Sequence, residues 1–457
     1  MVDRLRGRAW LTRADQKSFF DSVLVVDVDL PSGRVSVAEP LTGPERAPEA
    51  VYAVVWRDGV PIGDLEVPGD PATVLPDLPG IVAAQEWPVE PARPPAPESP
   101  PGAAGTPARA APEPRAPQEQ DVTIAVCTRD RPEMLRECLV AMSGLERPVA
   151  EVLVIDNASA DDRTRQVAGE FPFVRYVHEP RRGLDWARNR ALVEARTPVI
   201  AFTDDDVLVH PGWVSGLLRA FREEPGAAVV TGLVLPAELA TPAQVQFEGR
   251  GGFRRGFRRR RFAGTTSTPD TGSAKDVVLG AAGAGANVAL RRDVALELGG
   301  FDVALDVGTP SGGGGDFEMF FRVTSAGHVL VYEPSAVVRH RHRPTMAELA
   351  RQRRGDGTGN YSILLGAGPR YGRRVRREFL RLAVWWLAQR YARRVVCSLL
   401  WPRVWPPALV YPELRGVFTA RSGRLYHRGV AQAREQARAH PDEPSPAVVR
   451  GLWEPDP

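Results

Sequence analysis

Hydrophobic and polar positions follow two different rhythms along this chain of 457 residues, and the change from one to the other divides it. Up to about Gln85 apolar residues alternate with polar ones, the period of strands with one face buried. Residues 22–30 lead into Pro31-Ser32-Gly33, and residues 52–57 pass through Asp58-Gly59 into residues 60–67. Asp-Gly between two alternating runs is a strong hairpin signal, because both turn positions need positive φ. A small β-rich module over residues 1–86 is therefore expected. Residues 87–120 are dominated by Pro, Ala and Glu, carry too little apolar surface to fold, and predict an extended linker.

From Asp121 the pattern becomes short unbroken apolar runs separated by helical spacing. Residues 122–127, 151–155, 173–177 and 199–203 read as strands, and residues 133–142, 160–169 and 183–196 as helices, with Pro132 at a helix start. Strands alternating with helices at this distance predict βαβ units and a parallel sheet whose strand ends share one edge. Thr128, Asp130, Asp156 and the run Asp204-Asp205-Asp206 all follow strands, so they converge on one crevice, where open α/β sheets bind ligands. Three adjacent carboxylates repel one another. A hard divalent cation, Mn²⁺ or Mg²⁺, relieves that repulsion through oxygen ligands; a solvated acidic turn is the alternative. The shared location of several strand-end acids favours the cation.

The second half is less regular. Residues 228–234 read as a strand, and residues 280–287 are small residues ending in Asn287. Glycines 312–315 lead into a helix whose first turn carries Asp316 and Glu318. These acids either complement the helix dipole or are delivered to the crevice by a glycine hinge. An apolar strand then ends in Arg339-His340-Arg341-His342-Arg343. Beyond it, a helical extension is expected over residues 356–425. Within it Val375, Phe379, Leu382 and Trp386 share a helical face, but Arg390 and Arg393 interrupt its continuation, which predicts two shorter helices. Tryptophans beside many arginines suit either packing on the domain or an interface with anionic lipid. The polar, Pro-rich residues 426–457 are expected to fray.

Charge and cysteine usage narrow the class. A net charge of +3 does not announce a nucleic-acid binder. The arginine-, glycine- and phenylalanine-rich residues 250–262 resemble RNA-binding segments only superficially, and contact with an anionic donor, acceptor or head group, or a solvated loop, is the expectation. No nucleic-acid partner is expected. Three cysteines without zinc-like spacing fit a reducing compartment. The N-terminus lacks a signal-peptide core and no apolar stretch is long enough to span a bilayer. A cytoplasmic protein is expected, peripheral on the inner face of the membrane if the arginine–tryptophan segment is interfacial.

Five motifs occur in order: Thr128-Arg129-Asp130-Arg131-Pro132; Val154-Ile155-Asp156-Asn157; Gly183-Leu184-Asp185-Trp186-Ala187-Arg188-Asn189; Asp204-Asp205-Asp206; and Gly313-Gly314-Gly315-Asp316-Phe317-Glu318, with His340 downstream. Through them residues 122 to about 352 resemble glycosyltransferase family 2, inverting enzymes of the GT-A fold. The resemblance implies an α/β GT-A domain, Rossmann-like with a mostly parallel sheet, over residues 121–355. It implies transfer of a sugar from a nucleotide-sugar donor to a hydroxyl of a glycan, lipid-linked or small-molecule acceptor, as in polysaccharide or glycoconjugate synthesis. Thr128, Arg129, Asp130, Asp156, Asn157, Arg188, Asp204 and Asp205 would bind the donor. Asp206 and His340 would hold Mn²⁺ or Mg²⁺, with His342 as the second choice. Asp316 would be the general base, and Glu318 a neighbour that tunes it or binds acceptor. One departure stands out: many members carry an acid immediately before the base, where this chain has Gly315. No QxxRW-like motif surrounds Gln389-Arg390, against a processive enzyme of the cellulose-synthase type. A nucleotidyltransferase would want a Lys-containing Gly-rich loop after the first strand, which is missing. A non-catalytic nucleotide-sugar-binding protein is the remaining alternative.

Overall fold

A computed structural model of the chain describes residues 20–38, 46–88, 116–264, 271–278, 280–402 and 404–446. Most of the stretch read as a linker, and residues 1–19 and 447–457 with it, lies outside the described residues. Near the N-terminus, β1 (Val23–Asp29), β2 (Val35–Val37), β3 (Ala50–Arg57) and β4 (Val60–Pro68) form a sheet in the order β2-β1-β3-β4. The expected hairpin is present: Asp58 and Gly59 take φ 52° and 73° between β3 and β4. β3 is nearly all apolar because both its faces are covered. Val51, Ala53 and Val55 pack under the short helices that carry Val74, Leu78 and Val82. Tyr52, Val54 and Trp56 instead join the core of the larger domain. Trp87, placed in the linker by composition, packs back onto this sheet and donates its indole N–H to Val82 O at 2.7 Å.

The larger domain is built on β5 (Val122–Thr128), β6 (Glu151–Asn157), β7 (Val174–Glu179), β8 (Val199–Asp204), β9 (Val207–Val209), β10 (Ala227–Pro236), β11 (Arg260–Phe262), β12 (Thr271–Gly272), β13 (Asn287–Arg291) and β14 (Val329–His340). Their order is β12-β11-β14-β10-β13-β8-β5-β6-β7, with β9 pairing β14. The segment β8-β5-β6-β7 is parallel throughout, as the βαβ pattern requires. β13 joins it antiparallel to β8. Helices Pro132–Ser143 and Trp213–Glu223 cover one face through Leu135, Leu139, Trp213 and Phe221. Helices Leu184–Glu194 and Gly315–Ser325 cover the other through Ala187, Leu192, Met319 and Phe320. The α/β class, the mostly parallel core, the N-terminal sheet and the C-terminal helices match expectation.

The C-terminal part departs from it in two places. Where Arg390 was expected to end a helix, a π-helical segment Trp386–Tyr391 joins Gly372–Trp385 to Ala392–Leu400 without a break. The wider π turn rotates the following residues, so that Tyr391, Cys397 and Ser398 return to the buried side. Nor are residues 426–439 frayed: Arg424–Ala439 is a helix docked on the domain, while residues 447–457 of the expected tail lie outside the described residues. Tyr426 donates its hydroxyl to Asp302 at 2.8 Å, and Trp186 Nε1 donates to Gln436 Oε1 at 2.9 Å. Arg181 reaches Ser445 Oγ at 2.7 Å beyond the helix end. The stripe this helix buries is Tyr426, Gly429 and Ala433, too small to register as an apolar period. Among the described residues no helix is long and apolar enough to cross a membrane.

Candidate functional site

The carboxyl ends of β5 and β8 open on a cavity of about 830 Å³. Thr128, Arg129, Asp130, Asn157, Arg188, Asp204, Asp205, Asp206, Asp316 and His340 are all in its wall, so one place collects most of the residues read from the motifs. Strand pairing sets the acidic end. β9 leaves the Asp run and pairs antiparallel with β14, with Val207 opposite His340, and Arg341 N–H donates to Asp206 O at 2.9 Å. This register brings His340 Nε2 to 3.3 Å from Asp206 Oδ1. Ligand atoms of Asp204, Asp206 and His340 all lie within 4.8 Å of one another. Asp205 turns away and accepts from Thr128 Oγ1 at 2.7 Å and Arg131 Nη1 at 3.1 Å.

Burial, and after it the neighbouring Asp206, pushes Asp204 up to about 7 and Asp205 up to about 6. Burial raises Asp206 as well, but His340, Arg343 and Arg131 outweigh it and hold this carboxyl below its ordinary value. Burial pushes His340 down to about 4 against the pull of Asp206, so its imidazole is neutral at pH 7. Two carboxylates and a neutral imidazole form a donor set that fits a hard divalent cation.

His342 is not in that group. Its Nδ1 lies 3.3 Å from His340 Nδ1, and its Nε2 lies 3.2 Å from Glu248 Oε2. Glu248 in turn lies 3.5 Å from Arg254 Nε, and Arg254 is ion-paired to Asp64 and donates to Tyr52 Oη at 2.9 Å, both on the N-terminal sheet. The histidine that faces Asp206 is thus backed by His342, and His342 by a buried carboxylate anchored to a separate sheet. Only part of the arginine-rich stretch faces the cavity. Arg254 is committed to the N-terminal sheet, Arg259 and Arg261 pair with Glu223 and Glu224, and Arg255 joins the wall.

Asp316 stands on the other side of the cavity, in the first turn of its helix. Its Oδ2 accepts from Gly285 N–H and its Oδ1 from Phe317 N–H, each at 2.8 Å. Gly285 belongs to the small-residue run: a Cβ there would meet Arg188 Nη2 at 2.7 Å and Asp316 Cβ at 3.1 Å. The run lets the backbone come close enough to hold the carboxylate. Burial and then Asp306 raise Asp316, while Arg188 and the two N–H groups oppose them. Arg188 is buried between Asp185 at 3.0 Å and Asp306 at 2.8 Å. The departure at Gly315 has a steric cause: a Cβ at that position would sit 2.0 Å from Asp185 Oδ2.

Two predicted residues fall elsewhere. Glu318 is buried outside the cavity wall, paired through both oxygens to Arg322 at 2.8 Å and bonded to the Tyr371 hydroxyl. One residue of spacing on a helix separates it by about 200° from Asp316, which explains why two first-turn acids have different surroundings. Asp156 likewise stays out of the wall, accepting from Ser159 N–H at 3.1 Å and Tyr176 Oη at 2.7 Å. Asn157 lines the cavity but its amide is spent on Arg181 O at 2.7 Å and Gly183 N at 2.9 Å. Asp130, at φ 55°, ties two strand-end loops by accepting from Ala160 N–H at 2.7 Å. Arg131, Asp185 and Arg343 lay inside the motifs or the basic cluster without an assigned role. Asp306 had no local signal.

A family model described as glycosyl transferase family 2 matches residues 123–273, and one described as glycosyl transferase family group 2 matches residues 199–411. The chain is 27% identical over 241 residues to a pre-mycofactocin glycosyltransferase of Mycobacterium tuberculosis, covering 51% of this chain and 46% of that one. It therefore spans just under half the length of that relative. With the succinoglycan biosynthesis protein ExoM of Rhizobium meliloti it shares 31% identity over 242 residues, 51% of this chain and 71% of ExoM. A mannosyltransferase of Pyrobaculum calidifontis, solved with GDP-Man and Mn²⁺, overlaps 69% of this chain and 86% of its own at 16% identity and a TM-score of 0.41. With the motifs, both family models and a relative 31% identical over 71% of its own length in agreement, the chain belongs to glycosyltransferase family 2.

Proposed function

We propose that the protein is an inverting glycosyltransferase that moves a sugar from a nucleoside-diphosphate donor to an acceptor hydroxyl, with Asp316 as general base. The observation that carries this reading is that Asp316 and the Asp204–Asp206–His340 cluster open on the same cavity from different elements. The cluster would hold Mn²⁺ or Mg²⁺, which when bound stabilises the charge on the departing diphosphate. Thr128, Arg129 and Asp130, in the wall of the same cavity, would bind the nucleoside. Arg131 and Arg343 add positive charge beside the diphosphate end. The acceptor oxygen attacks the anomeric carbon as the bond to the diphosphate breaks, and its proton passes to an Asp316 carboxylate oxygen. One displacement inverts the anomeric configuration. A base with a raised pKa is better matched to a hydroxyl proton near neutral pH than an ordinary carboxylate is.

Product analysis after incubation with a panel of nucleotide sugars and Mn²⁺ tests the reading. A glycosylated acceptor of inverted configuration and a free nucleoside diphosphate are expected. Release of pyrophosphate with formation of a nucleotide sugar, or binding without any turnover, would refute it.

A further inference from the structure

The helical run from Gly372 to Leu400, about 40 Å long by the rise of a helix, has two unlike sides. Its inner side carries Phe379, Leu382 and Trp386 into the core of the C-terminal helices, and Trp386 and Arg390 reach the cavity wall. Its outer side is apolar where solvent would ordinarily select polar residues. Leu380, Val384, Leu387, Val396 and Leu399 follow one another on this side, with Trp385, Leu400 and Trp401 beside them. Val384, Leu399 and Leu400 are 60–69% exposed. Scattered exposed apolar residues need no explanation, but a continuous stripe does.

The charge around the stripe selects its occupant. Residues 372–402 hold eight arginines and one acid. Arg390 and Arg394 point inward, to the cavity wall and to Glu413. Arg373, Arg374, Arg376, Arg377, Arg381 and Arg393 are exposed. Arg374 lies 3.6 Å from the one acid, Glu378. The other five exposed arginines have no ion pair among the described residues. A second copy of this face would add six more exposed cations and only one acid, Glu378, which already lies beside Arg374. An apolar stripe flanked by unpaired guanidinium groups and tryptophans matches the interfacial zone of a bilayer that contains anionic lipid.

We infer that the outer side of residues 372–401 is a docking surface for an anionic lipid bilayer, with Leu380, Val384, Leu399 and the tryptophans entering the head-group region and the arginines meeting lipid phosphates. The surface resting on lipid and a wall of the site are then opposite sides of one helical run. An acceptor carried in the membrane is thereby brought beside the cavity.

The test uses the full chain with vesicles of phosphatidylcholine alone and of phosphatidylcholine mixed with phosphatidylglycerol. Co-sedimentation with the mixed vesicles only, weakened by salt, is expected, with a blue shift of tryptophan emission. The triple variant R373E/R376E/R377E should bind at least about tenfold more weakly, since each juxtamembrane arginine contributes roughly fivefold. L380E/V384E/L399E should lose the blue shift. All six positions are exposed, so melting temperature and binding of UDP with Mn²⁺ should be unchanged; that control keeps the outcome separate from the proposed transfer reaction. Equal sedimentation on both vesicle types, or vesicle binding unchanged in both variants, would overturn the inference. So would self-association of the wild type that L380E/V384E/L399E abolishes, with no vesicle binding, since the stripe would then be a dimer face.

Discussion

Two acids separated by one residue, Asp316 and Glu318, have different fates in the fold, and their variants should fail in different ways. Asp316→Asn keeps the shape of the side chain and removes the proposed proton acceptor. Initial rates should fall about 10²–10⁴-fold while nucleotide affinity holds, because the base acts on a proton only as the hydroxyl attacks. The acid limb of the wild-type pH–rate profile should lie above the ordinary carboxylate range, with rate lost as pH falls through the raised pKa of Asp316. A rate within threefold of wild type in the Asn variant would remove Asp316 from the chemistry. Glu318→Ala should act on stability instead, leaving Arg322 buried without its partner at a cost of about 3–5 kcal/mol, measured by denaturant unfolding. Glu248 belongs to a third kind of position. It holds His342 against His340, so Glu248→Gln should weaken Mn²⁺ binding about 10–100-fold, read by electron paramagnetic resonance of free Mn²⁺ without any turnover. Unchanged Mn²⁺ affinity in that variant would show that the two histidines need no support from Glu248.

Among the elements, the last helix is the clearest case of structure that composition conceals. Arg424–Ala439 covers Trp186 and Val303 through Ala433, and Tyr426 fills the space above Gly366, where a Cβ would meet the Tyr426 Cβ at 2.3 Å. Truncation before Arg424 uncovers these groups and removes the Tyr426–Asp302 hydrogen bond. It should cost on the order of 3 kcal/mol or more, from lost apolar burial alone. A truncated chain with the unfolding midpoint of the full one would mean that the helix adds nothing to the domain. The N-terminal sheet is an element of the same sort. It was legible as a hairpin and strands, but its second apolar face, with Tyr52, Val54 and Trp56, has meaning only against the larger domain.

For the molecule as a whole, the sequence by itself determined the alternation of strand and helix, hence the parallel core, and the placing of Thr128, Asp130 and Asp204 to Asp206 at one sheet edge. These follow from local periodicity and from the handedness of βαβ units, which act within a few dozen residues. The motifs also carried the family. What only the tertiary structure decided depends on groups far apart in sequence. The β9–β14 register sets His340 rather than His342 against Asp206. The contact between Asp185 and position 315 makes glycine necessary there. Asp306, separated by more than a hundred residues from Arg188, neutralises it at the site. Whether Glu318 or Asp316 faces the cavity was decided by how one helix rotates on the sheet. Periodicity says that a side chain is buried or exposed; which partner meets it is decided by packing, and packing is a property of the assembled chain.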